Sequence, residues 1–178
     1  MSETNKQASY WVFGYGSLIW NPGFSYISSM KGQLLGAHRC LCIYSHHHRG
    51  TKDNPGLVFG LRQGGSCHGK AFQIAAKNWT ETLDYLRERE QVSSVYKEAM
   101  RLVKLENGEK IQALTYLADQ NHIQYAGDLA IEEQLRLIKS AKGIGGDNIE
   151  YVQNTASHLK QMNITDKKLE QLAVLLSK

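Results

Sequence analysis

Residues 11–20, WVFGYGSLIW, set the first condition on the fold: a dense apolar and aromatic run of the kind that makes a buried strand, broken at Gly14 and Gly16. Glycine lets the backbone turn where other residues resist, so the strand should end there. A strand that stops at a glycine-rich turn leaves consecutive N–H groups without ladder partners, and these can converge on a carboxylate or a developing oxyanion. Tyr15, Gly16, Ser17 and Leu18 are therefore a candidate anion cradle, with a plain tight turn as the alternative.

The middle of the chain favours antiparallel neighbours. Residues 32–45 carry strand-like apolar content, and residues 56–62 and 66–74 read as two strands joined at Gln63-Gly64-Gly65. Residues 94–105 and 110–118 flank Glu106-Asn107-Gly108-Glu109, where Asn-Gly is the stronger hairpin signal. Helices are expected over 129–142, with Asp128 as the cap and Gly143-Ile144-Gly145-Gly146 as the stop, over 148–162 and over 166–178. Strands that neighbour one another, without helices in alternation, predict an α+β fold. At 178 residues the chain is expected to form one domain over 1–178, with residues 1–9 as a flexible N-terminus.

Several function classes drop out. The hydrophobic fraction of 42% and charged fraction of 21% are those of an ordinary globular protein, and no apolar run approaches the roughly 18 residues of a membrane span. The N-terminal MSETNKQAS lacks an apolar signal core, so a cytoplasmic protein is expected. Net charge is +4, but the Lys and Arg residues are dispersed and no recognition motif accompanies them, which argues against nucleic-acid binding. Three cysteines, Cys40, Cys42 and Cys67, show no paired C-x-x-C spacing and read as reduced thiols. His46, His47 and His48 are adjacent, and neighbours in sequence cannot easily face one ion together, so a polar loop is expected and no metal site.

The segment 78–91 is the second informative stretch. Asn78 and Glu81 resemble a capping box, which should start a helix. At about 100° per residue, Trp79, Leu83 and Leu86 define an inward stripe, and Glu90 falls inside it, whereas Glu88 falls on the opposite, solvated side. A carboxylate on a buried side must find partners, shift its pKa upward or border a cavity. Glu90 is thus a candidate general base or acid, the alternatives being a frayed helix end or an ion pair with Arg49, Arg62 or Arg87. Arg87, Glu88 and Arg89 read as solvated charges at a helix end.

A glycine turn after the first strand and an inward acid on a mid-chain helix together resemble the ChaC-type γ-glutamylcyclotransferases. The opening signature runs from Val12 to Trp20 and continues through Asn21-Pro22; His48-Arg49-Gly50-Thr51 with Pro55-Gly56 matches a second block. Arg89-Glu90 with Tyr96 matches the catalytic acid motif, and Gly145, Asn148 and Tyr151 match a late block. The departure is at 91–95, which lacks the glycine that relatives often carry before the tyrosine.

The resemblance implies a γ-glutamylcyclotransferase-like fold, a small mixed β-barrel with packed helices. It also implies glutathione as substrate, 5-oxoproline and Cys-Gly as products, and no metal or cofactor, because the substrate's own α-amine attacks its γ-carbonyl. Glu90 would be the catalytic acid and base, with Tyr15, Gly16, Ser17, Leu18, Arg49, Tyr96 and Tyr151 binding substrate. Three competing readings stay open: Ser17 as a hydrolase nucleophile, although the G-x-S-x-G elbow is missing, a glutathione-binding module without chemistry, and a cyclotransferase for other γ-glutamyl amino acids or amines. Oligomeric state is left open, a monomer being the simplest expectation.

Overall fold

The computed structural model describes residues 9–90 and 92–178. The expected flexible N-terminus lies outside the described residues up to position 8, and Ser9 already opens a strand. Strand β1 (Ser9–Gly14) pairs antiparallel with β3 (Gly56–Ala75) and parallel with β5 (Lys110–Ala118) through Val12 and Leu114. With β2 (Ser28–Ser45) and β4 (Tyr96–Leu105) the order β1-β3-β2-β4-β5 closes a barrel. Val12 and Phe13 point to opposite faces, and both are completely buried. That explains why the opening run is continuously apolar and not alternating: β1 is covered on both sides. Phe13 belongs to the main core, with Leu34, Leu57 and Leu61, while Val12 joins Phe72, Ile74 and Leu114 beneath helix α1 (Trp79–Glu90).

One expected hairpin is absent. Residues 56–75 form a single strand, and both of its halves pair with β2, so Gln63-Gly64-Gly65 does not reverse the chain. Gly64 and Gly65 take positive φ (97° and 73°) opposite Gly36 (φ 88°), at a register shift between Leu35 and Ala37. The three glycines build a bulge that bends the two-stranded ribbon, and a Gly-Gly step serves a bulge as well as a turn. The other hairpin forms as its Asn-Gly step predicts: Gly108 has φ 88°, and Leu105 N–H donates to the Glu109 carbonyl at 2.8 Å.

In α1, Trp79, Leu83 and Leu86 all join the cluster with Val12 and Phe72, as the stripe requires. A 3-10 turn over Ala76–Asn78 leads into the helix where a capping box was expected. Helix α2 (Ile131–Ser140) is shorter than its pattern, and Ala130 precedes it in place of Asp128, which sits 3.5 Å from Arg62 instead. The glycines after it do not simply stop a helix: β6 (Lys142–Gly143) and β7 (Gly146–Asp147) form a small hairpin. Helices α3 (Asn148–Gln161) and α4 (Lys167–Leu176) complete the chain, the latter capped by Asp166, which accepts from Leu169 N–H at 3.1 Å. No helix among the described residues is long and apolar enough to cross a membrane.

The start of α3 is keyed to β3. Asn148, fully buried, accepts from Leu57 N–H at 2.7 Å and donates to the Leu57 carbonyl at 2.8 Å, replacing a strand partner. One helical turn on, Tyr151 accepts from Phe59 N–H at 3.1 Å. Asn148→Ala leaves two buried backbone groups unpaired and is expected to lower unfolding free energy by about 2–4 kcal/mol. Chemical denaturation measures this, and a loss below about 1 kcal/mol would show that water replaces the amide.

Candidate active site

The turn after β1, the loop after β2, the end of α1 and the start of α3 converge on a cavity of about 860 Å³. Ser17, Arg49, Arg89, Glu90, Tyr96 and Tyr151 all line it, so positions from separate stretches of the chain meet there. The loop is held in place by local bonds: buried Ser45 accepts from Arg49 N–H at 3.0 Å, and Gly145 N–H donates to the His48 carbonyl at 2.9 Å. His46, His47 and His48 form a loop, as expected. Among the described residues no group of three or more His, Cys, Asp or Glu comes together to hold a metal.

The turn curls tightly because Gly14 has no side chain; a Cβ there would lie 2.9 Å from that of Leu18. Ser17–Ile19 form a single 3-10 turn, closed by Ile19 N–H donating to the Gly16 carbonyl at 3.0 Å and Asn21 N–H donating to the Ser17 carbonyl at 2.8 Å. The first N–H groups of any helical turn have no partner within it. Among the described residues, accordingly, the N–H groups of Tyr15, Gly16, Ser17 and Leu18 donate to no protein acceptor. The side chains of Tyr15 and Leu18 are in the core, and the Tyr15 hydroxyl donates to the Tyr116 carbonyl at 3.0 Å. Of the four turn residues only Ser17 lines the cavity, and Tyr15, Gly16 and Leu18 stand behind it. Gly16 packs beside Tyr151, which does line the cavity: a Cβ there would be 3.5 Å from the Tyr151 hydroxyl.

Glu90 is the last residue of α1 and is half-buried. Burial pushes its carboxyl up to about 7 from 4.5, with the Arg89 cation pulling the other way. None of the arginines considered as ion-pair partners takes that role. Arg87 forms a fork with Glu98 at 2.9 and 3.0 Å, Arg62 sits by Asp128, and Arg49 stacks 5.3 Å above the Tyr151 ring while donating to the Asp147 carbonyl. Among the described residues the Glu90 carboxylate has no hydrogen bond or ion pair. It borders the cavity instead.

Burial raises the Tyr96 and Tyr151 phenols well above their ordinary value, and both remain neutral. They grip the same residue of β3 from two sides: Tyr96 donates to the Phe59 carbonyl at 2.8 Å, and Tyr151 accepts from Phe59 N–H. Tyr151 therefore keeps its proton, and Tyr96 a lone pair, for a ligand. The missing glycine at 91–95 does not keep Tyr96 from the cavity.

Arg89 departs from expectation. It is no solvated end charge: it is half-buried and donates to Ser17 Oγ at 2.7 Å, the Asn21 carbonyl at 2.7 Å, the Tyr85 hydroxyl at 3.1 Å and the Pro22 carbonyl at 3.4 Å. Only its place four residues after Tyr85 could have hinted at this, since its other partners are remote in sequence. Ser17 Oγ is engaged by that arginine, and among the described residues no His or Asp bonds to it, so the hydrolase constellation is not assembled.

Residues 10–178 match the family described as ChaC-like protein. The chain belongs to that family. Its ChaC-like relatives include the Escherichia coli glutathione-specific γ-glutamylcyclotransferase, 31% identical over 94% of this chain and 73% of the relative. The Danio rerio glutathione-specific γ-glutamylcyclotransferase 1 is 35% identical over 86% of this chain and 81% of its own length, and the Schizosaccharomyces pombe enzyme 30% identical over 94% and 91%. Among solved structures, the γ-glutamyl cyclotransferase specific to glutathione from yeast superposes with a TM-score of 0.87 at 23% identity, covering 96% of each chain. A γ-glutamyl cyclotransferase at 18% identity, covering 93% of this chain and 86% of its own, gives 0.55. These structures share the mixed β-barrel with packed helices that the ChaC resemblance implied.

Proposed function

We propose that this ChaC-like protein is a glutathione-specific γ-glutamylcyclotransferase that uses Glu90 as both general base and general acid. The observation that carries the reading is the pairing, at one cavity, of a carboxyl raised to about 7 without a charge partner and a turn of unpaired N–H groups. The relatives' activity on glutathione supports the choice of substrate.

The reaction is an intramolecular aminolysis. The α-amine forms a C–N bond to the γ-carbonyl carbon, the γ-amide C–N bond breaks, and 5-oxoproline and Cys-Gly leave. The nucleophile is part of the substrate, so the chain has to fold the substrate, accept a proton and return one. Holding amine and carbonyl together contributes about 7–11 kcal/mol in the best intramolecular cases. An ammonium is a weaker acid than either form of the carboxyl, and raising the acceptor from 4.5 to about 7 lowers the cost of taking its proton by about 3.4 kcal/mol. The same group, once protonated, is acidic enough to protonate the departing amine. The unpaired backbone N–H groups of the Tyr15–Leu18 turn, whose Ser17 lines the cavity, hold the α-carboxylate or the carbonyl oxygen, and Arg49, Tyr96 and Tyr151 line the rest. In this reading residues 1–178 form one cytoplasmic catalytic domain that requires neither metal nor cofactor.

The test is product analysis. Purified protein with glutathione should release 5-oxoproline and Cys-Gly in equal amounts, with two γ-glutamyl dipeptides turned over at least about tenfold more slowly. Glutathione that binds without reacting would leave only a binding module, and an acyl group trapped on Ser17 would restore the hydrolase.

A further inference from the structure

We infer that Arg89 is a positioning residue that joins the substrate-gripping turn to the proton-transferring acid as one rigid unit. The inference rests on the cyclotransferase reading of the same cavity. Its basis is geometric. Arg89 precedes Glu90 on α1, yet its guanidinium crosses to the other wall, where Nη2 donates to Ser17 Oγ at 2.7 Å and Nη1 donates to the Asn21 carbonyl at 2.7 Å. Nη1 also reaches the Tyr85 hydroxyl, one turn back on the helix, which braces the side chain from behind.

The turn needs such a brace. With four of its N–H groups unpaired, it is held by few bonds of its own. From the far side Arg39 supplies one, donating to the Tyr15 carbonyl at 3.0 Å while Asp166 anchors its head at 3.1 Å. Arg89 supplies the corresponding hold on the cavity side. The distance between the N–H groups and the Glu90 carboxyl is then fixed by a planar fork, a rigid donor pattern that a lysine cannot reproduce. Placement of this kind matters for aminolysis, where an error of about 1 Å costs on the order of 100-fold in rate.

Arg89 also brings the charge that acts on Glu90, while His46, His47, His48, Arg49 and Lys52 from the loop after β2, and Glu88, line the same cavity. The other titratable groups felt by Glu90 are Tyr15 on the turn, Tyr96 on β4, Tyr116 on β5 and Tyr151 on α3, all kept neutral by burial. Arg89 alone pulls the Glu90 carboxyl down against burial. Its fork and its charge are therefore separable by substitution.

The experiment compares Arg89→Lys and Arg89→Gln for kcat, KM and the pH profile of kcat/KM with glutathione, with thermal melts alongside. Both should lower kcat by about 100-fold with KM changed by less than about threefold. In Arg89→Gln the acid limb of the profile should move to higher pH, while Arg89→Lys leaves it in place. Ser17→Ala, which removes an acceptor of the fork and keeps the charge, should lower kcat by about tenfold and leave the limb unmoved. Wild-type kcat in Arg89→Lys overturns the inference. So does a raised KM at unchanged kcat, the mark of direct substrate contact, or a loss of rate that only tracks unfolding at the assay temperature. Two controls keep the claims apart: wild-type protein that releases no 5-oxoproline from glutathione removes the cyclotransferase reading, and near wild-type turnover in Glu90→Gln removes Glu90 from the mechanism, whereas unaffected Arg89 variants remove the positioning role alone.

Discussion

Replacing Glu90 with glutamine is expected to lower kcat for glutathione by about 10³- to 10⁴-fold while making the protein more stable at pH 8. The rate loss follows from the proposed role of Glu90 in accepting and returning the proton, since glutamine fills the same space and does neither. The stability gain comes from the cause of the raised pKa. At low pH the side chain is protonated whether the chain is folded or unfolded, and burial carries no charge penalty. As pH climbs past 4.5 the unfolded chain ionises first, and the folded state loses stability until the buried carboxyl ionises near 7. Above that the loss is constant, so Glu90→Gln should exceed wild type by about 1–3 kcal/mol at pH 8 and match it near pH 4.

In the wild type, kcat/KM should rise as pH passes about 7 and then level off, because the base must be ionised to begin the reaction. A flat profile from about pH 5 to about pH 9, or near wild-type turnover in Glu90→Gln, would remove Glu90 from the mechanism. Slower turnover coupled to lower stability would mean that the carboxylate holds the fold together. Unpaired as it is among the described residues, it has nothing to hold.

The parts of this site that could be read from sequence are those whose meaning is local. The continuous apolar run announces β1 because burial on both faces leaves no polar alternation, and the glycines announce where it stops. Glu90 shows itself because helical periodicity places it among Trp79, Leu83 and Leu86, and that stripe is the one that packs on Val12 and Phe72. Gln63-Gly64-Gly65 misleads because a positive-φ glycine pair permits a turn or a bulge equally, and the choice is made by β2, which pairs with both halves of β3. Asp128 misleads in a similar way, since its ion pair with Arg62 joins positions far apart in the chain. Arg89 is the clearest case. Next to a recognisable acid it looks like one more solvated charge, and its partners are Ser17 and Asn21, which only the closed barrel brings beside it.

Gly16 carries the second large expectation, and here the turn itself is under test. What a side chain at Gly16 would meet is set by Phe59 and Tyr151. A Cβ would sit 3.5 Å from Phe59 Cβ and from the Tyr151 hydroxyl, which is ordinary contact, so these neighbours leave room for one methyl group and no more. Valine adds two methyl groups at that spot, and either the turn backs away or Tyr151 gives up its bond to Phe59 N–H. Both outcomes disturb the cavity wall, while most of the core lies elsewhere. Gly16→Val should therefore lose about 100-fold or more in kcat/KM, against a stability loss of about 1–3 kcal/mol typical of overpacking. Paired kinetics and thermal melts decide the matter. If valine unfolds the chain but leaves the surviving fraction fully active, Gly16 is there for the strand-to-helix turn alone, and the unpaired N–H groups lose their place in catalysis.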